Sequence, residues 1–569
     1  MPSTESLLSL EPFAAGNPTG FASPADIKNA YDRARLIGRH YALSLQDIVS
    51  LSPRFWAFHL DLIHAESGNA LVILTTHLNL CIGTLGDYLP ERPDLQPLAE
   101  KLLNFDLVGQ FLLTEVGWGV DADELKSTAT LQPDGTFELH TPHEQAAKFM
   151  SWTTPDAAMP SGGIVFARLI VQNEDRGIRP FWVMLHDGQA MEPGVVSHAL
   201  PKRAGAPAVD HAVTTFTHKH LPSTALLGTL TKPSNPATHF ASIIHRASIG
   251  TLSISTVNVP CLKLSTYTAA RYSSRRHVTS PSGTPIPILA YRTQQRPLLH
   301  ALAHAFVWEA AAQHAASLFT AAKADPALQA ATAIPFKCAI QRSTQRILSS
   351  LADCCGAQGL YEHNAIISCQ NLMRGNSLAE GDVVVIAIRL VSELLLSGQQ
   401  LPSSRYPDAP VVRYAAGLLE EARDVVRALP AGSRDVMDEG FNAAVLPLCE
   451  RVAEAMGWAL AYEGAREKGV SGDLLDVFEV GVVEEGASWF VENLGWKRTD
   501  IQRREEEVLT RLLPRLERLV AEGWEGVAPF ARAPLLTEEA WGEFVERLPR
   551  FGGEEEEDGM VNRAADAKL

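Results

Sequence analysis

The chain has 569 residues, 46% of them hydrophobic, which is more than one core of ordinary size can organise and implies several packed domains. Its 49 basic and 66 acidic residues leave a net charge of −17, so the sequence offers no electrostatic footprint for nucleic acid or for an anionic membrane surface. Cysteines at 81, 261, 338, 354, 355, 369 and 449 form no CxxC pair and no regular framework, a pattern that fits a reducing compartment and neither structural zinc nor a disulfide scaffold.

The first residues have neither a basic stretch nor a sustained apolar core, so no secretory leader is expected. No segment reaches the roughly 18 uninterrupted apolar residues of a membrane span. Ser23-Pro24-Ala25-Asp26 is a helix start, with a hydroxyl N-cap, proline in the first turn and an acid behind it. Ile27, Ala30, Tyr31, Ala34 and Ile37 then trace one apolar face. Helical patterning runs to about residue 104, giving a first region over 1–104.

From Phe105 to about residue 235 the chain reads as short strands and turns. Pro133-Asp134-Gly135 is a hairpin turn between STATL and TFELHT, and GIVFARLIV and FWVML are further strand-like runs. Helical patterns return over 236–400, and a further set of helices is expected over 401–550. Residues 551–569 form an acidic tail ending in Ala567, Lys568 and Leu569, a tripeptide that resembles the signal read by the peroxisomal import receptor. The fold class is therefore α+β and multidomain: helices, a central β domain, then a large helical region.

Other patterns compete for a function. Gly117-x-Gly119-x-x-Ala122 loosely fits a dinucleotide-binding fingerprint, but that fingerprint needs a helix directly after the glycines, and here the chain enters a hairpin. His300 and His304 are spaced for a shared metal without the acid of an HExxH motif, and no metal is assigned.

The stretch LLTEVGWGVDADELKSTATL, Leu112 to Leu131, resembles the β-domain motif of acyl-CoA oxidases and dehydrogenases, in which a Thr-Glu pair precedes a glycine-rich turn. The resemblance continues through Lys148-Phe149-Met150-Ser151, Pro201 to Leu227, Arg271 to His277, Tyr291 to Leu298 and Cys354 to Asn364. It ends at Glu380-Gly381 in NSLAEGDVVVIAIRL. It implies a β-barrel-like central domain, FAD as cofactor, an acyl-CoA substrate, dioxygen as acceptor and a homodimer. Implied flavin contacts are Thr114, Gly119, Met150 and Ser151, with Arg276 on the pyrophosphate and Gly356 and Gly359 allowing close backbone approach. Glu380 is the implied base for the α-proton of the thioester.

Each residue also has a plainer reading. The two glycines suit a helix-terminating turn, Arg276 suits a solvated charged face, and Glu380 suits an acid at the start of the helix after it. Burial would raise the Glu380 pKa and a helix N-terminus would lower it. The chain departs from the family pattern at Phe149-Met150-Ser151, where tryptophan is usual, at Trp152, where glycine is usual, and at Gly356-Ala357-Gln358-Gly359. A dehydrogenase with another acceptor, a non-catalytic peroxisomal homologue and an enzyme that uses the same flavin pocket on a non-CoA metabolite are the alternatives.

Overall fold

A computed structural model describes residues 20–551 apart from 204, 398–401, 431, 433, 434 and 522. The acidic run and the Ala567-Lys568-Leu569 end lie outside the described residues. Two compact units divide the chain: one takes residues up to 45 together with 69–244, the other 46–68 together with 245 onward.

In the first unit, the helix Pro24–Tyr41 starts as the sequence indicates. The Ser23 Oγ accepts from the Asp26 N–H at 3.1 Å, and Ile27, Ala30, Tyr31 and Ala34 are buried. Tyr31 Oη donates to Asp210 Oδ1 at 3.0 Å, and the other Asp210 oxygen accepts from the Thr154 N–H and hydroxyl, both at 3.1 Å. The Gly68–Tyr88 stretch is long and apolar enough to cross a membrane by composition, yet 83% of its window is buried inside the protein, as in a core helix. Its middle turn, Thr76–Ile82, is π-helical.

The strands of this unit are β1 (Val108–Leu112), β2 (Thr128–Leu131), β3 (Phe137–His140), β4 (Lys148–Trp152), β5 (Ser161–Val171), β6 (Glu174–His186), β7 (Val195–Ala199), β8 (His211–Phe216) and β9 (Lys219–Leu221). β5 pairs parallel with β1 along its first half and with β2 along its second, and β6 runs antiparallel beside it. β4, β8 and β7 form a second sheet. The two sheets join at both corners. Past β1, the Phe149 N–H donates to the Thr114 carbonyl at 3.0 Å and Glu115 bridges Lys148; past β3, the Thr141 N–H donates to Phe216 O at 2.8 Å. Following the bonds from β5 through β1, β4, β8, β3 and β2 returns to β5, so the expected barrel-like closure is present. Its interior is filled by Leu112, Phe137, Leu139, Val165, Leu169, Phe181, Val183 and Phe216. The β2–β3 turn has Gly135 at φ 84°, the left-handed conformation that glycine supplies without penalty.

The second unit is helical. Arg292–Ala321 and Pro326–Cys354 are its longest helices, and Leu446–Glu467 packs against both. Trp308 and Trp458 are fully buried, and the indole N–H of Trp458 donates to Ser343 Oγ at 3.1 Å. One apolar cluster runs from Ile334 and Cys338 through Val383, Ala387 and Val391 to Leu419, Phe441, Cys449 and Val452, so helices on both sides of residue 400 share a core. The early segment 46–68 belongs here as well: Arg246 donates to Ile48 O at 3.1 Å. All seven cysteines are buried free thiols.

Candidate active site

Glu380 lies in the turn between the helices Ile366–Asn376 and Val383–Ser397. The N-cap of the second helix is Asp382, whose Oδ1 accepts from the Val384 and Val385 N–H groups at 2.9 and 3.2 Å. Glu380 sits two residues upstream, outside the helix, so the plainer reading of an acid serving the helix terminus applies to Asp382. Its φ is 52°, followed by Gly381 at 103°. A left-handed non-glycine residue costs on the order of 1–2 kcal/mol and persists only where its surroundings hold it.

Those surroundings are specific. Thr251 Oγ1, on the helix His245–Thr256, donates to the Glu380 carbonyl at 2.7 Å. Lys337, fully buried on the helix Pro326–Cys354, donates from Nζ to the carbonyl of Ala379 and, at 3.4 Å, to that of Glu380. Burial pushes the Lys337 ammonium down to about 8, against the opposing pull of the Glu380 carboxylate and then of Cys338 and Asp382. The Glu380 side chain lies over Gly250, one residue before Thr251; a methyl group at 250 would occupy the space of the carboxylate. A half-buried carboxylate is thus aimed by a strained turn and seated on a helix position that only glycine leaves open, an arrangement suited to a general base.

In the first unit, the Thr-Glu pair divides its work. Glu115 turns inward, where its carboxylate pairs with fully buried Lys148 at 2.9 Å and accepts from the Lys126 and Ser127 N–H groups at 2.7 and 3.0 Å. Lys148 Nζ also donates to Phe166 O at 2.7 Å. This fixes the corner at which the Thr114 backbone meets β4, and no hydrogen bond occupies the Thr114 hydroxyl among the described residues. Beyond Phe149 the β4–β8 register shifts. There His211 Nδ1 bonds the Met150 carbonyl at 2.7 Å; the acceptor is a carbonyl, so Nδ1 carries the proton, and burial holds the ring's pKa down at about 4 and the ring neutral. Ser151 Oγ donates to Phe111 O at 3.0 Å. Gly119 is exposed, with open space where a Cβ would stand. The chain after it forms only a short 3-10 turn, Ala122–Glu124, before β2, so the helix a dinucleotide fingerprint requires is absent there.

The remaining candidates lie in the second unit. Arg276 caps the helix Asn258–Arg275 through its backbone, and its exposed side chain makes no ion pair or hydrogen bond among the described residues, whereas neighbouring Arg275 is engaged by Glu538 and the Leu535 carbonyl. Gly356, at φ 58°, follows the helix Pro326–Cys354 and has open space around it. Gly359 differs: a Cβ there would collide with the Ala352 carbonyl. Gly356 supplies the left-handed turn that ends the helix, and Gly359 the close approach to its last turn. Within the second unit, the unpaired Arg276 guanidinium is compatible with a phosphate group. Among the described residues no three His, Cys, Asp or Glu side chains are grouped to hold a metal. His300 instead pairs with Glu505 at 2.7 Å, and His304 accepts from the Trp308 indole at 3.2 Å.

Residues 250–395 match the family described as acyl-CoA oxidase, C-alpha1 domain, a segment that contains Gly250, Thr251, Lys337 and Glu380. Outside that segment too, the chain is similar in sequence to acyl-CoA oxidases. It is 28% identical over 317 residues to peroxisomal acyl-coenzyme A oxidase 2 of Arabidopsis thaliana, covering 51% of this chain and 46% of that protein. It is 30% identical over 219 residues to human peroxisomal acyl-coenzyme A oxidase 3, covering 36% and 31%. The matched stretches thus span about half, or less, of these two relatives. Among solved structures, acyl-CoA oxidase 1 of Yarrowia lipolytica superposes with a TM-score of 0.72 at 18% identity, covering 95% of this chain and 97% of that one. Acyl-CoA oxidase 2 of Caenorhabditis elegans, solved with FAD, ascaroside-CoA and ATP, gives 0.69 at 17% identity, covering 92% of each. The likeness of fold to these structures therefore extends over nearly the whole chain.

Gly250, Thr251, Lys337 and His211 escaped the sequence reading, which met Glu115 only as half of the Thr-Glu pair. Buried charge could have marked Lys337, Glu115 and Lys148, since lysine and glutamate inside otherwise apolar patterns need a partner. Nothing local distinguishes Gly250.

Proposed function

We propose that this protein is an FAD-dependent acyl-CoA oxidase, converting an acyl-CoA and dioxygen to the trans-2-enoyl-CoA and hydrogen peroxide. The observation that carries the reading is the Glu380 carboxylate, aimed by a left-handed turn and seated over Gly250 inside the segment that matches the acyl-CoA oxidase C-alpha1 domain.

Glu380 takes the α-proton of the thioester, and the turn that holds it supplies the orientation a weak base needs. FAD, when bound, supplies the two-electron acceptor for the hydride leaving the β-carbon. Thr114, Gly119, Met150, Ser151, Arg276, Gly356 and Gly359 are the residues we assign to holding it. His211 and the Lys148–Glu115 pair fix the backbone of 148–151 and of Thr114, so they act behind the contacts rather than in them. Arg276 offers a planar fork of donors suited to phosphate oxygens. Residence in peroxisomes is supported by the peroxisomal names of the relatives, and a homodimer and import through a receptor reading Ala567-Lys568-Leu569 complete the proposal.

Anaerobic titration of the purified protein with acyl-CoAs of graded chain length tests it. Acyl-CoA should bleach the oxidised flavin band, Glu380→Gln should slow bleaching by about 10²- to 10⁴-fold, and admitting air should restore the band with release of peroxide. A yellow protein that no acyl-CoA bleaches would remove the substrate assignment. Bleaching without reoxidation in air would make the protein a dehydrogenase.

A further inference from the structure

We propose that Lys337 is a positioning residue for Glu380: its buried ammonium holds the two carbonyls that flank the Glu380 Cα and so sets the direction in which the carboxylate points. This rests on the reading of Glu380 as the base.

The argument starts from peptide geometry. The Ala379 carbonyl belongs to the peptide plane before the Glu380 Cα, and the Glu380 carbonyl to the plane after it. Each plane is rigid, so the angles between them are φ and ψ of Glu380. Lys337 Nζ donates to both carbonyls, and Thr251 Oγ1 gives the second a further donor at 2.7 Å. Pinning both planes fixes the backbone of Glu380 at its left-handed φ of 52° and with it the Cα–Cβ direction. That direction brings the carboxylate over Gly250.

A purely structural role explains Lys337 poorly. The side chain is fully buried on a helix whose neighbouring inward positions are Ile334, Phe336, Cys338, Ala339 and Ile340. Burying an ammonium costs several kcal/mol unless partners compensate it, and the partners present are in the turn. A methionine would fill the space, but it would offer no donor to either carbonyl. The groups facing the ammonium are Glu380, Asp382 and the Cys338 thiol, and the turn contributes the first two.

Lys337→Met in the full-length, FAD-loaded protein tests this, with two independent readouts. In stopped flow with a saturating acyl-CoA, flavin reduction should slow by about 100-fold, the order expected when a reacting group is misplaced by about an ångström, while KM changes little and the flavin remains bound. In amide hydrogen exchange, residues 377–383 should lose protection while the rest of the helix Pro326–Cys354 keeps it. Lys337→Arg, which retains a cation and donors, should recover part of the rate. Reduction at the wild-type rate, or unchanged protection over 377–383, would overturn the proposal. Should the wild-type protein be reduced by no acyl-CoA, the base assignment fails and hydrogen exchange alone decides whether Lys337 holds the turn. Should Lys337→Met not fold, Lys337→Gln carries the same two measurements.

Discussion

Gly250 and Glu380, 130 positions apart in sequence, occupy complementary space: the carboxylate of one lies where a side chain on the other would stand. Gly250→Ala therefore separates folding from function. Alanine is the better helix former by about 1 kcal/mol, so the thermal midpoint should hold or rise. The added methyl displaces the carboxylate, and flavin reduction by acyl-CoA should fall toward the rate of Glu380→Gln. A Gly250→Ala protein that reacts like wild type would mean that the carboxylate works from another position.

Thr251 supplies the second donor to the Glu380 carbonyl, at 2.7 Å from a neutral hydroxyl. A net hydrogen bond of this kind is worth about 1 kcal/mol, which converts to roughly a fivefold change in rate if all of it serves to hold the turn. Thr251→Val should cost about that much in kcat with KM little changed, and Thr251→Ser should restore it. Equal loss in Thr251→Ser would assign the effect to packing of the methyl group instead.

The architecture was legible because it depends on local periodicity. The Ser23 cap, the 133–135 turn and the β5 and β6 runs each announce themselves within ten residues, and the helix, strand and helix order follows from them. Glu380 was legible only through family resemblance, since an acid two residues before a helix looks like part of its cap; the structure gives that role to Asp382. Gly250 and Lys337 were not legible at all. Their roles exist only once helices near 250, 337 and 380 are brought together, and a single sequence carries no sign of that meeting. The same holds for His211, which reaches Met150 across 61 positions.

Six buried histidines set how the protein meets acid. Desolvation holds His59 and His304 at about 3 and His64, His77, His186 and His211 at about 4, against an ordinary value of 6.5. Their folded pKa values are depressed, so as pH falls below 6.5 the unfolded chain takes up protons first and stability is lost, each ring contributing up to about 1.4 kcal/mol per pH unit. His77 shows why: one ring nitrogen bonds the Leu102 carbonyl at 3.0 Å while the other accepts from the Gly109 N–H at 2.8 Å, and a doubly protonated ring cannot do both. Asp210, which burial raises to about 6, works in the opposite sense between pH 6 and its unfolded value near 3.8, and offsets only one of them. The urea midpoint should therefore drop between pH 7 and pH 5. A flat profile over that interval would show that these rings are solvated in the folded protein.

The Lys148–Glu115 pair makes a prediction that ties the barrel to its cofactor. Both side chains are fully enclosed, at 2.9 Å. Removing one partner of such a pair leaves an uncompensated charge and costs about 3–5 kcal/mol, so Lys148→Met should lower the unfolding midpoint sharply. The Glu115 carboxylate also holds the Lys126 and Ser127 amides, and a neutral amide oxygen can still accept from one of them. Lys148→Met combined with Glu115→Gln should therefore be more stable than Lys148→Met alone. The pair stands at the corner where Phe149 N–H meets the Thr114 carbonyl. Loosening that corner should lower flavin content in Lys148→Met, and the double variant should recover it in step with stability. If stability recovers in the double variant while flavin content does not, the charged pair itself, rather than the corner geometry it maintains, is what retention of the cofactor requires.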